Sequence, residues 1–226
     1  RRGQARLVLG DYVRSGGRAI NARFTLDSKA LIANRNGDVR LWSIPEGAEL
    51  YRGRTEPGVS SIVRTARDAF LFLTATPNRA LAQTWPLPPG RPSLIGSFDR
   101  TGPLSATAEA VAYLWNNAIH VRSLRDFGAR PKLIARTGKP PTSLALSPDA
   151  TVVASADSTE EIKFWSAASN SSDSIAGREA PAAVVGLTYS GSGKSLVAVS
   201  FARGYPMYSV FDLTGPENLV PTLLAK

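Results

Sequence analysis

Short stretches of alternating apolar and polar residues follow one another along the chain, separated by turn-forming residues. The clearest succession is PTSLALSPDATVVASADSTEEIKFWSA, residues 141–167. It contains an alternating stretch, a Ser-Pro-Asp turn, a second β-rich stretch, a polar turn and a third stretch that reaches Trp165. Alternation with a period of two predicts strands with one buried face, and the turn residues predict hairpins between them. Residues 141–167 are therefore predicted to form three short antiparallel strands.

The same order recurs near the start of the chain, in ARFTLDSKALIANRNGDVRLWSI, residues 22–44. An Asp-Ser pair occupies the first turn, Asn36-Gly37 the second, and Trp42 closes the third strand. Asn and Gly both tolerate the positive φ that a type I′ hairpin turn requires. The two copies define a three-strand repeat closed by an aromatic residue.

Three further copies close at Trp85, Arg122 and Phe211, so the closing positions are 42, 85, 122, 165 and 211. Their spacing of about 40 residues suits a four-stranded unit with variable loops. A segment able to form a fourth, outer strand follows each closing position: AELYRG, PSLIGSF, PKLIAR, SDSIAG and LVPTLL. The predicted repeats span residues 20–58, 59–101, 102–139, 140–181 and 182–226.

The segments SPDATVVASADSTEEIKFW and NRNGDVRLW resemble the second half of WD40 repeats. The resemblance implies an all-β fold, a β-propeller of four-stranded antiparallel blades, with residues 1–226 forming a single domain. The family's Gly-His pair is missing, and its Trp-Asp dipeptide survives only as Phe211-Asp212. Because His120 is the only histidine, the family's hydrogen-bonded tetrad cannot form in full, and blade stability is expected to rest on apolar packing.

The number of blades depends on how the two ends of the chain are interpreted. Residues 4–14 resemble the outer strand of a preceding or closing blade, which gives five strand triplets but six candidate outer strands. Either LVPTLL is not a strand, or the chain begins inside a blade whose other strands are absent. The second interpretation favours a seven-bladed parent ring, and a closed five-bladed ring is the alternative. The start at Arg1 rather than Met suggests a processed or incomplete chain.

Composition excludes several classes of protein. Hydrophobic residues make up 43% and charged residues 20% of the chain, as in ordinary globular proteins. No apolar run approaches the roughly 18 residues of a membrane span. The absence of cysteine excludes disulfides and thiolate sites. It favours an intracellular, cytoplasmic location, although a periplasmic protein can equally lack cysteine.

The net charge of +9 is unevenly distributed, because residues 141–226 carry five basic and eight acidic groups and the first two thirds hold the basic excess. Six basic residues cluster in the third repeat, opposed by Asp126 alone, and they suit either an anionic partner or a solvated outer strand. Trp115 is out of register with the closing aromatics and is a candidate binding anchor. The stem of Arg122 is predicted to pack between blades with its head at the rim. The candidate partner-binding residues are Trp115, Arg125, Arg130, Lys132, Arg136 and Lys139.

Motifs for chemistry are weak. GSGKS, residues 191–195, lacks the earlier glycine of a P-loop, since Thr188 stands there, and is predicted to be a hairpin turn. His120 has no histidine or carboxylate pair beside it and is interpreted as a partly buried structural residue. Glu160-Glu161 is interpreted as a solvated turn.

The resemblance therefore predicts a non-catalytic scaffold for protein–protein interaction, a subunit or domain of a larger assembly, with no catalytic residue, metal or cofactor. One alternative is a propeller associated with nucleic acid, in a ribonucleoprotein or chromatin complex, that uses its basic first two thirds. A propeller hydrolase is the least favoured interpretation, because it would need several metal or acid–base ligands from successive blades.

Overall fold

The computed structural model describes residues 21–25, 28–35, 37–44, 46–54, 59–64, 69–86, 93–168, 174–180, 182–202, 205–214 and 222–225. These residues form twenty β-strands and no helix. The strands belong to five four-stranded antiparallel sheets, each built from four consecutive strands. The predicted fold class, an all-β propeller type with four-stranded antiparallel blades, is confirmed.

The blades follow one another in chain order. Blade 1 contains β1 (Asn21–Phe24), β2 (Ala30–Arg35), β3 (Asp38–Ser43) and β4 (Glu49–Arg54). Blade 2 contains β5 (Val59–Arg64), β6 (Ala69–Ala75), β7 (Arg79–Pro86) and β8 (Ser93–Asp99). Blade 3 contains β9 (Leu104–Ala106), β10 (Ala110–Trp115), β11 (Ala118–Ser123) and β12 (Lys132–Arg136). Blade 4 contains β13 (Ser143–Leu146), β14 (Val152–Ala156), β15 (Glu161–Ser166) and β16 (Ser174–Glu179). Blade 5 contains β17 (Val184–Tyr189), β18 (Ser195–Ala202), β19 (Tyr205–Asp212) and β20 (Thr222–Ala225).

All five segments predicted as outer strands contribute to β4, β8, β12, β16 and β20. Because β20 pairs with β19, the interpretation that LVPTLL is not a strand is wrong. The candidate outer strand at residues 4–14 lies outside the described residues. The seven-bladed and five-bladed rings both stay predictions.

The chain divides into two compact units. The first comprises residues 1–76 and 80–98, and the second comprises residues 77–79 and 99–226. The assignment of residues 1–226 to one domain stays a prediction. In the first unit, Ile32 and Leu41 of blade 1 share a core with Phe70, Phe72 and Trp85 of blade 2.

The second unit contains blades 3, 4 and 5, and each neighbouring pair shares an apolar core. Leu114 and Ile119 of blade 3 pack in one core with Leu144 and Trp165 of blade 4. The opposite face of blade 4 packs against blade 5 in a second core. That second core contains Ala145, Ala154, Ala156, Ile162, Phe164, Val184, Leu196, Ala198 and Phe211.

The predicted role of the closing aromatics as packing residues is also confirmed. Trp42, Trp85, Trp165 and Phe211 are all buried.

Serine hydroxyls connect the first strands of neighbouring blades in the second unit. The Ser105 Oγ accepts the backbone N–H of Leu146 at 3.0 Å, and the Ser143 Oγ accepts that of Leu187 at 2.9 Å. Each bond joins one blade to the next, and each satisfies a partly buried backbone donor that would otherwise lack a partner.

A hydroxyl side chain also shapes the first turn of four blades. Thr25, Thr107, Ser147 and Ser190 each accept the backbone N–H of the residue that begins the second strand, at 2.9 to 3.2 Å. This bond closes the turn locally, as Ser and Thr commonly do. The hairpin interpretation of GSGKS is confirmed, because it joins β17 to β18 and Gly193 has a φ of +72°.

Candidate interaction cleft

A cleft of about 560 Å³ opens between blade 3 and blade 4 of the second unit. One wall is the end of β12 with the connection to β13, and the other is the β14–β15 hairpin. We call it the blade 3–4 cleft. Its lining residues are Arg136, Thr137, Gly138, Lys139, Pro141, Ser155, Asp157, Thr159, Glu161, Lys163 and Trp165.

Hydrogen bonds hold both walls in place. The backbone N–H and hydroxyl of Thr137 donate to the carbonyl oxygen of Asn117 at 2.9 and 3.1 Å, which fixes the connection to the β10–β11 hairpin. In the opposite wall, the indole Nε1 of Trp165 donates to the Ser155 Oγ at 2.7 Å. The cleft is therefore preformed, since its walls are extensions of two packed sheets.

The carboxylates of the cleft are engaged within blade 4. The Asp157 Oδ1 accepts the Thr159 backbone N–H at 2.7 Å and also the Thr159 hydroxyl. Burial opposes the ionisation of Asp157, but these bonds and the charges of Lys163 and Lys139 outweigh burial and lower its pKa. Glu161 pairs with Lys163 at 3.3 Å.

Two cations of the cleft differ from Lys163 in that no described residue holds them by a hydrogen bond or an ion pair. The side chains of Arg136 and Lys139 are exposed and form no hydrogen bond or ion pair with the residues that the structure describes. The cleft thus contains three cations and two carboxylates, and the unpaired charges are both positive. It suits a ligand that carries negative charge at a few positions.

Trp115 lies at the end of blade 3 where Arg136 also lies, and it follows Leu114, which packs against blade 4, so its side chain is on the other face of β10. Trp115 pairs with Ala118, and Ala118 pairs with Arg136, so the three residues lie in line across three strands. Strand spacing places the Cα atoms of Trp115 and Arg136 about 10 Å apart. Trp115 is 42% exposed and so accessible to a partner, and its role as a binding anchor stays a prediction. Asn116 and Asn117 have φ values of +49° and +55°, as a type I′ turn requires.

The ring of His120 packs against Trp115 and Tyr113. Its ring stacks on Tyr113 with centroids 5.6 Å apart and contacts Trp115 at the same centroid distance. Burial lowers the pKa of His120, and the positive charge of Arg136 lowers it further. His120 is partly buried, as predicted, and its interpretation as a structural residue stays a prediction.

The predicted basic cluster is divided between the two ends of blade 3. Arg125, Arg130 and Lys132 lie in or beside the β11–β12 loop, and the length of β12 separates Lys132 from Arg136 by about 13 Å. Arg125 forms an ion pair with Glu109. The Lys132 Nζ donates to the carbonyl oxygens of residues 167 and 168 at 2.7 and 3.0 Å, and so connects blade 3 to blade 4.

Arg122 belongs to the same loop. Its Nη1 donates to the carbonyl oxygen of Phe127 at 2.5 Å and to that of Ala129 at 3.3 Å. Its guanidinium carbon lies 4.8 Å from the centre of the Phe127 ring. The head group therefore holds the β11–β12 loop, and its Nε is buried without a partner among the described residues.

Sequence reasoning missed the blade 4 wall of the cleft. Glu160 is exposed in the turn, as predicted for the Glu160-Glu161 pair, but Glu161 begins β15 and lines the cleft. Asp157 and Lys163 lie 18 and 24 residues after Lys139, the last residue of the basic cluster, and belong to a different repeat, so no local pattern joined them to it. The sequence did contain one signal for the turn that holds Asp157. The Asp-x-Thr order of Asp157 and Thr159 recurs at Asp212 and Thr214, with the same hydrogen bond.

No known protein family matches this sequence, and the curated proteins include none with significant similarity to it. Within the described ranges, no group of three or more histidine or acidic residues could hold a metal ion. No helix in this part of the chain is long and apolar enough to cross a membrane.

Proposed function

We propose that the protein is a non-catalytic interaction scaffold of the WD40 type, which binds other proteins at the blade 3–4 cleft and at Trp115, at the same end of blade 3. The observation that carries the proposal is the preformed cleft, with two unpaired cations and an exposed indole at one end of a blade. Such a site loses little conformational freedom when a partner binds. The proposal assigns no catalytic residue and no cofactor.

Trp115 supplies the apolar component of this surface. An exposed tryptophan can bury a large area in a partner, and His120 restricts its movement. Arg136 and Lys139 supply the charged component, which orients a partner and accelerates its association. A subunit role in a larger assembly accords with this combination. The intracellular, cytoplasmic location stays a prediction from the lack of cysteine.

The proposal is tested by selecting partners from a library of displayed random peptides with the immobilised full chain. We expect enriched peptides that bind the purified protein saturably, at one peptide per chain. The W115A variant is expected to weaken their binding about tenfold, as for a central aromatic anchor. L94A, which removes another exposed apolar side chain in a different blade, is the matched control.

The charge distribution favours nucleic acid as a second candidate partner, because the basic excess lies in the first two thirds of the chain. The cleft argues against it, since Asp157 and Glu161 would repel a continuous phosphate backbone. If no peptide is enriched, and the chain instead binds RNA or DNA oligonucleotides with a steep loss of affinity on adding salt, the scaffold proposal is wrong.

A further inference from the structure

The cations of the second unit differ in whether their charge is already neutralised. Lys163 pairs with Glu161 at 3.3 Å, and Arg125 pairs with Glu109. Lys132 donates to two backbone carbonyls. Arg136 and Lys139 stand on one wall of a single cleft and have no hydrogen-bond or ion-pair partner among the described residues.

The described residues of the opposite wall form no ion pair with Arg136 or Lys139, and their only resolved charge interaction with these cations is that of Lys139 with Asp157. Asp157 is held in its own turn by two bonds from Thr159, and Glu161 is held by Lys163. Glu161 also lies against the backbone of the outer strand, because a Cβ placed on Gly177 would be 2.7 Å from its Oε1. Both carboxylates therefore already have partners within blade 4.

The size of the cleft limits the ligand further. A volume of about 560 Å³ accommodates a few side chains of an extended segment and lies within the range of ordinary ligand sites. The guanidinium and ammonium groups of two residues that line one cleft are suited to carboxylate oxygens, which accept short charge-assisted hydrogen bonds. The two fixed carboxylates disfavour ligands with denser negative charge, such as a phosphate chain.

We propose that the blade 3–4 cleft binds an acidic segment of a partner protein, whose Asp or Glu carboxylates pair with Arg136 and Lys139. The inference rests on the proposed scaffold function and names the chemistry of the partner. The inference requires a carboxylate, so a peptide with Asn and Gln in the same positions should bind more weakly.

The test uses fluorescent twelve-residue peptides and anisotropy titrations with the full chain at physiological ionic strength. One peptide carries spaced Asp and Glu residues, a second carries Asn and Gln in their place, and a third carries phosphoserine. An oligouridylate of matched length is the nucleic-acid probe. We expect saturable binding of the acidic peptide and at least tenfold weaker binding of the amide peptide.

The variant R136E/K139E reverses both cations of the cleft. The variant should weaken binding of the acidic peptide about tenfold or more. Each exposed ion pair contributes a few-fold to the affinity, and the reversed charges add repulsion. The matched control is R54E/K194E, which makes the same change in net charge at two exposed residues outside the cleft. Far-ultraviolet circular dichroism verifies that both variants are folded.

Equal effects of the two double variants would overturn the inference, because binding would then reflect net charge alone. Tight binding of the amide peptide would overturn it too, as would binding of the phosphoserine peptide or the oligouridylate but not the acidic one. If library peptides bind through Trp115 and R136E/K139E leaves them unaffected, the scaffold function stands and this inference fails. If neither library nor acidic peptides bind, both proposals fail.

Discussion

Gly102 lies against a core side chain of blade 3. A substitution at Gly102 therefore tests how tightly that core is packed. A Cβ placed on Gly102 would be 2.6 Å from Leu114 Cδ2 and 3.2 Å from Leu114 Cβ. Leu114 is 2% exposed and belongs to the core shared by blades 3 and 4. Favourable carbon contacts lie at about 3.5 to 4.0 Å, so Leu114 would have to move by about 1 Å in a filled core.

The variant G102A is therefore expected to lower the free energy of unfolding by about 1 to 3 kcal/mol, the usual cost of overpacking. Urea denaturation, followed by circular dichroism, measures this difference. G191A is the matched control in the same unit, because a Cβ at Gly191 meets no atom within 4 Å. It should change the free energy of unfolding by less than about 1 kcal/mol.

A double-mutant cycle assigns the cost to Leu114. L114A alone should destabilise by about 2 to 5 kcal/mol, and G102A should cost less in the L114A background because the Cδ2 atom is gone. If G102A and G191A behave alike, or if the full cost of G102A persists with L114A, the packing argument is wrong.

Three further predictions concern two serine hydrogen bonds and the titration of His120. S143A leaves the Leu187 N–H without its acceptor and should cost about 1 to 3 kcal/mol in urea denaturation, whereas S192A in an exposed turn should stay within about 0.5 kcal/mol. S147A removes the hydroxyl that closes the first turn of blade 4 and should cost about 1 kcal/mol by the same measurement; an unchanged value would contradict its role. The lowered pKa of His120 means that the unfolded chain binds its proton more readily. The free energy of unfolding should therefore fall as pH decreases from about 6.5 through the lower folded pKa, and H120Q should remove that part of the pH dependence. Equal slopes for H120Q and the unaltered chain between pH 7 and 5 would refute this.

The repeat was predictable because each strand and turn is encoded locally. Alternation reports which face of a strand is buried, and residues such as Asn36-Gly37 report where the chain reverses. Trp42, Trp85 and Trp165 revealed the period because each blade buries an aromatic residue at the same position. Even SDSIAG, the weakest outer segment, forms part of a strand, since its backbone pairs with β15 and needs little from its side chains.

The candidate site depended on packing between blades. The sequence grouped Arg125, Lys132 and Arg136 because they are close along the chain, but a strand between them carries their side chains to opposite ends of the blade. The carboxylates that oppose Arg136 and Lys139 come from the next blade, and only the packing of two sheets brings them to one cleft.

The sequence by itself thus determined the blades and their order, because these follow from local periodicity and turn chemistry. The tertiary structure alone decided which charges are neutralised and which remain available. Lys132 is held by the carbonyls of blade 4, whereas Arg136 stays unpaired at the cleft, and neither outcome depends on its sequence neighbours. The physical reason is that charge pairing depends on distances across a packed interface, which residue spacing along one strand does not report.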